Sequence, residues 1–140
     1  MATGVIHALW ARLVRELEHF EGTIAPGRYY GLLYYPAAYK AGGCMYLAAA
    51  EIPTPSGDRL APALDGTALA VKTIPAMTCA CFIHRGCRRD LSLTLDYVYH
   101  TWLPKSGRRL SLPWIIEGYG PVLRVTEDDI SGIALCIPVE

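Results

Sequence analysis

The segment Leu112-Pro113-Trp114-Ile115-Ile116-Glu117-Gly118-Tyr119 carries a single carboxylate among bulky apolar neighbours. Burying that group without a partner would forfeit several kcal/mol of hydration, so something must compensate it. An organic cation does so directly, by Coulomb attraction to Glu117 and by cation–π contacts of about 0.5–2 kcal/mol with each well-placed ring. In a strand, Glu117 shares a face with Ile115 and Tyr119, while Trp114 and Ile116 take the other. The competing reading points Glu117 at water. Nine Tyr accompany three Trp and two Phe, a bias that suits pocket walls because a tyrosine ring has an apolar face and a polar tip. Tyr119, Trp102, Tyr99, Trp10, Tyr35 and Tyr46 are the expected wall residues. Trp102 fits plain core packing equally well, given its helical spacing with Leu95 and Val98.

Cys79, Cys81, His84 and Cys87 are spaced closely enough to suggest a metal site. Structural zinc sites favour a Cys-x2-Cys turn, however, and Cys79-x-Cys81 in an extended run only places both thiols on one face. Neither a metal nor another cofactor is expected, and the cysteines read as small buried hydrophobes. His84, Arg85, Arg88 and Arg89 form a local basic group ahead of a helix, read as solvated charge rather than a nucleic-acid surface.

These residues need elements to hold them. From Val5 to Phe20 the apolar residues Ile6, Leu9, Trp10, Leu13, Leu17 and Phe20 recur at steps of three and four, which predicts a helix with one buried stripe, capped by Thr3 and ended by Gly22. Arg28 to Tyr35 and Cys44 to Ile52 read as paired strands around Pro36 and Gly42-Gly43. The Pro- and Gly-rich stretch from Pro53 to Gly66 is a linker, and Leu69 to His84, interrupted at Pro75, reads as a strand. Leu91, Leu95, Val98, Tyr99, Trp102 and Leu103 then predict a second helix, with Asp90 as cap and Pro104 to Gly107 as stop. Trp114 to Tyr119 and Ile130 to Val139 are strands around a turn at Glu127 to Asp129.

The order helix, strand, strand occurs twice, and the two halves end alike at Ile52-Pro53 and Ile137-Pro138. The expected fold is therefore one α+β domain over 1–140, with repeat one at about 1–53, a linker at 54–68 and repeat two at about 69–140. The two pseudo-symmetric helix-strand-strand repeats would form a mainly antiparallel sheet with both helices on one face. Helices so placed leave a seam between the repeats, where pockets form.

With 140 residues, one domain is the natural size. Lys plus Arg and Asp plus Glu each number 13, so the net positive field that gathers nucleic acid or anionic lipid is missing. No stretch approaches the roughly 18 apolar residues of a membrane span, and the N-terminus lacks a signal-peptide pattern. The five cysteines have no disulfide-framework spacing, which points to reduced thiols and a cytoplasmic setting.

Several segments in order resemble the GyrI-like effector-binding family, small-molecule-binding domains fused to multidrug-sensing transcription regulators or standing alone. Ile74-Pro75-Ala76 with Cys81-Phe82-Ile83-His84-Arg85-Gly86 is similar to the family's strand leading into a helix. Tyr97-Val98-Tyr99-His100-Thr101-Trp102-Leu103-Pro104-Lys105-Ser106-Gly107 is similar to its second helix and Trp-Leu-Pro-x-Ser-Gly ending. Pro113 to Tyr119 carries its Glu-x-Tyr strand, and Ile137-Pro138-Val139 its last strand. The resemblance is strongest over 69–140; Trp10, Gly31 to Tyr35 and Ile52-Pro53 extend it into the first repeat. The chain departs from the pattern at Met77 to Cys81, where the family has Gly, a basic residue and Tyr, and ahead of the first helix, where only Met1 to Gly4 stand in place of a strand. An edge left unpaired there would suit a homodimer.

The resemblance implies a carboxylate at a pocket floor, here Glu117, and a stand-alone binder of amphipathic or cationic small molecules that acts as a sensor or sequestering protein. Transcription regulation would need a separate DNA-binding partner. Two other activities follow from the family: a hydrolase opening cyclopropane rings in toxic compounds, with Glu117 as the catalytic general base, and a protein-binding inhibitor of the gyrase-inhibitor type.

Overall fold

A computed structural model of the chain describes residues 3–20, 24, 28–34, 45–53, 64–119 and 132–140. Helix α1 spans Thr3–Glu18, strands β1 Tyr29–Tyr34, β2 Met45–Ala50 and β3 Cys79–His84 follow, and after helix α2 come β4 Trp114–Tyr119 and β5 Ile133–Pro138. Helix α2 is continuous but not uniform: Leu91–Tyr97 is α-helical, Val98–Trp102 is a π turn, and Leu103–Ser106 is α-helical again. The expected Gly22 helix end, the Pro36 and Gly42-Gly43 turn, Tyr35, Cys44, most of the linker and the Glu127 to Asp129 turn lie outside the described residues.

The strands form one antiparallel sheet in the order β2-β1-β4-β5-β3. The segment α1-β1-β2 has the same order as α2-β4-β5, and β4 and β1 meet at the middle of the sheet. Beside β5 stands β3; among the described residues no strand stands in the matching place beside β2, which is an edge. Met45 and Leu47 on that edge are exposed.

Both helices cover the same face. The α1 stripe of Ile6, Trp10 and Leu13 packs with Tyr46 of β2, against Tyr29, Leu33, Ala48 and Tyr119. Leu91 of α2 packs with Ile115, Ile133 and Leu135, and Val98 with Ile137 and Val139. Each such aliphatic side chain contributes about 1.5–3 kcal/mol when fully buried. Leu33 and Tyr119 touch both helices' clusters, which marks the seam between the repeats.

Four expectations need correction. The stretch from Leu69 to His84 is a strand only over Cys79–His84; upstream, Leu69 packs on the α1 cluster and Ala68 N–H donates to the Glu16 carboxylate at 2.9 Å, which draws the chain away from the sheet. Helix α1 ends at Glu18 rather than at Phe20, because His19 and Phe20 N–H reach carbonyls three residues back, at 3.1 and 3.2 Å, and tighten the last turn. Asp90 closes a 3-10 turn over Arg88–Asp90 and makes no side-chain cap bond. Pro104 lies inside α2 rather than stopping it. A proline has no N–H to offer the preceding turn and its ring crowds a carbonyl there; the wider π turn just before it, with Leu103 N–H bonded to Val98 O, relieves both. The stop is Gly107, at φ 72°, a left-handed conformation that glycine adopts freely.

Candidate functional site around Glu117

Antiparallel register sets Gly31 of β1 opposite Glu117 of β4, and Ala48 of β2 opposite Gly31. On the other side Leu135 of β5 stands opposite Glu117. The carboxylate thus lies on the central strand and on the helix-covered face, at 1% exposure. That burial settles the alternation question posed by the sequence: Ile115 is buried with it, while Trp114 and Ile116 lie on the opposite face.

Two tyrosines hold the carboxylate. Tyr46 O–H donates to Glu117 Oε1 at 2.7 Å, and Tyr119 O–H donates to the same oxygen at 2.9 Å. Trp10 Nε1–H in turn donates to the Tyr46 hydroxyl at 3.0 Å. The Trp10 ring meets Tyr119 edge-on at 5.1 Å between centroids, and Tyr46 at 6.5 Å. Hydrogen bonds to a charged group contribute about 1.5–3 kcal/mol each, enough for the pair to offset much of a several-kcal/mol desolvation cost. Part of the compensation expected from a guest is supplied by tyrosyl hydroxyls of the chain itself.

Gly31 makes the arrangement possible. A Cβ there would collide with the Tyr46 hydroxyl and with Glu117 Oε1, and would lie 2.8 Å from Tyr46 Cζ. By sequence alone this glycine is an ordinary strand residue. The available signal was its place inside a Tyr-Tyr-Gly-Leu-Leu-Tyr strand, since a glycine in a strand interior marks a close approach.

Trp10, Tyr46, Tyr119 and Glu117 are therefore brought together. The Trp102 ring instead meets Phe82 edge-on at 5.0 Å and packs on the Val98, Ile137 and Val139 cluster. Tyr99, half-buried, packs between that cluster and the one around Leu135. Tyr35 lies outside the described residues.

The cysteine and histidine group is not a cluster of ligands in this arrangement. Both His84 ring nitrogens are engaged, Nε2–H donating to Cys87 O at 2.8 Å and Nδ1 paired with the Thr94 hydroxyl at 2.7 Å. Among the described residues no group of three or more His, Cys, Asp or Glu side chains could hold a metal ion. The cysteines are also not the buried hydrophobes expected: Cys81 is exposed and Cys79, Cys87 and Cys136 are half-buried. Cys79, Cys81 and Cys136 share the sheet face that the described helices leave uncovered.

On that uncovered face a cleft of about 410 Å³ is lined by Leu32, Tyr34, Met45, Leu47, Lys72 and Trp114, among others. Lys72 Nζ sits 5.4 Å from the Trp114 ring centre, in cation–π range.

Removing the Tyr46 hydroxyl tests the network. Tyr46→Phe takes one donor from Glu117 and strands the buried Trp10 N–H, so unfolding in urea should show a loss of about 1–3 kcal/mol. An unchanged midpoint would mean that the hydroxyl is not holding either neighbour.

The model of the family described as "GyrI-like small molecule binding domain" matches residues 1–139. No curated protein matches the chain.

Proposed function

Since the chain belongs to the GyrI-like small-molecule-binding family over essentially its whole length and so binds small molecules, we propose that its guest is cationic or amphipathic and seats at the seam between the repeats, against Glu117. The observation that carries this reading is a carboxylate at 1% exposure on the central strand that accepts hydrogen bonds from two tyrosyl hydroxyls. A hydroxyl donates a hydrogen bond but carries no net charge. A cation arriving at the seam brings full charge, next to the side chains of Trp10, Tyr46 and Tyr119. The protein would then act as a sensor or sequestering agent, holding its guest reversibly in the cytoplasm.

Fluorescence titration with a cationic and an uncharged amphipathic dye tests this. The expected result is saturable binding of the cationic dye with a change in tryptophan emission. A dye whose binding ignores Glu117 but is lost in Trp114→Ala would move the guest to the cleft on the opposite face. No saturable binding of any cation would remove the reading altogether.

A further inference from the structure

Cys81 of β3 and Cys136 of β5 are direct cross-strand partners, and their sulfurs lie 2.9 Å apart, one thiol donating to the other. Directly opposed antiparallel residues have Cα separations of about 4.5 or 5.5 Å, both inside the roughly 4.4–6.8 Å that a disulfide spans. No backbone movement is needed to join them. Cys81 is exposed, on the face that the described helices leave open, so a small oxidant reaches it directly. We infer that Cys81 and Cys136 form a redox-active dithiol whose substrate is a hydroperoxide and whose product is a cross-strand disulfide clamping β3 to β5.

The two thiols have different roles. Burial, followed by the hydrogen bond with Cys81 and the nearby sulfurs of Cys81 and Cys79, pushes the Cys136 thiol up to about 12. Burial and the Cys81 sulfur likewise raise Cys79. Cys81 is exposed and Cys136 half-buried, so Cys81 is the sulfur that meets the oxidant and attacks. Its thiolate attacks the terminal peroxide oxygen: an S–O bond forms as the O–O bond breaks, the displaced alkoxide or hydroxide takes up the proton released by Cys81 and leaves as alcohol or water, and Cys81 becomes a sulfenic acid. The Cys136 sulfur then attacks Cys81, the S–O bond breaks, and hydroxide departs with the Cys136 proton as water. Two thiols lose two electrons in all, and the peroxide gains them.

The native protein, treated with one equivalent of hydrogen peroxide per chain, should lose two of its five titratable thiols. Its intact mass should fall by two hydrogens, with peptide mapping joining Cys81 to Cys136 and dithiothreitol reversing the change. Cys79→Ser should form the same link. Cys136→Ser should instead accumulate a sulfenic acid at Cys81, trapped by dimedone. A full thiol count after treatment, a link through Cys44, Cys79 or Cys87, or over-oxidation of Cys81 without a link in the unsubstituted protein would each overturn the assignment.

Discussion

Glu117→Gln should lower affinity for a cationic dye at least about tenfold, a loss of about 1.4 kcal/mol, while an uncharged dye of similar shape should bind almost as before. The substitution removes the charge at almost the same side-chain shape. Tyr46 and Tyr119 both donate to Oε1, and an amide oxygen in that place accepts both bonds. At a separation of about 4 Å and an effective dielectric of about 20, a full charge pair is worth roughly 4 kcal/mol, so a loss of 1.4 kcal/mol leaves room for the guest's own desolvation. Parallel fluorescence titrations of both proteins with both dyes read the difference. Equal losses for the two dyes would show that recognition rests on shape, and circular dichroism of the variant separates either outcome from misfolding.

The second large effect belongs to Gly31. Gly31→Ala places a methyl group where the Tyr46 hydroxyl and the Glu117 carboxylate now lie. Neither can yield easily: Tyr46 is tied to Trp10 and Glu117, and Glu117 is tied to Tyr119 as well. Overpacking costs about 1–3 kcal/mol, and breaking the Tyr46 bond to the carboxylate adds about 1.5–3 kcal/mol. The urea midpoint should fall accordingly, and cationic dye affinity should fall at least about tenfold with it. Gly118→Ala on the central strand is the control, because its Cβ would meet Ala134 Cβ at 3.4 Å, an ordinary contact. A Gly31→Ala protein as stable as Gly118→Ala would mean that the tyrosine has another place to go.

The uncovered face ties the cleft beside Trp114 and the thiol pair to one structural cause. Helices α1 and α2 both pack on the side of Glu117, so most residues of opposite parity in β1 to β5 lie outside the helix-covered clusters, with Leu32 and Pro138 buried all the same. Cysteine in such a strand is exposed to chemistry that a core cysteine never meets. The site at Glu117 and the site at Cys81 and Cys136 therefore lie on opposite faces of one sheet, and variants of one leave the other's readout intact.

Local periodicity determined a good deal about this protein. The spacing of Ile6, Trp10 and Leu13 placed one buried stripe on α1, and alternation in β4 put Glu117, Ile115 and Tyr119 on one face. The segment order also contained the α+β fold and the family. Only the tertiary structure decided which aromatics meet the carboxylate. Tyr46 reaches it across 71 residues of chain, because β1 lies between β2 and β4 in register and Gly31 leaves the space. Trp102, equally eligible by spacing, packs on Phe82 instead. The outward placement of the cysteines was decided in the same way, since a period of two says which residues share a face but not which face the helices cover. Strand neighbours, register and the choice of covered face are non-local, set by how the whole sheet buries its apolar area, and no window of sequence contains them.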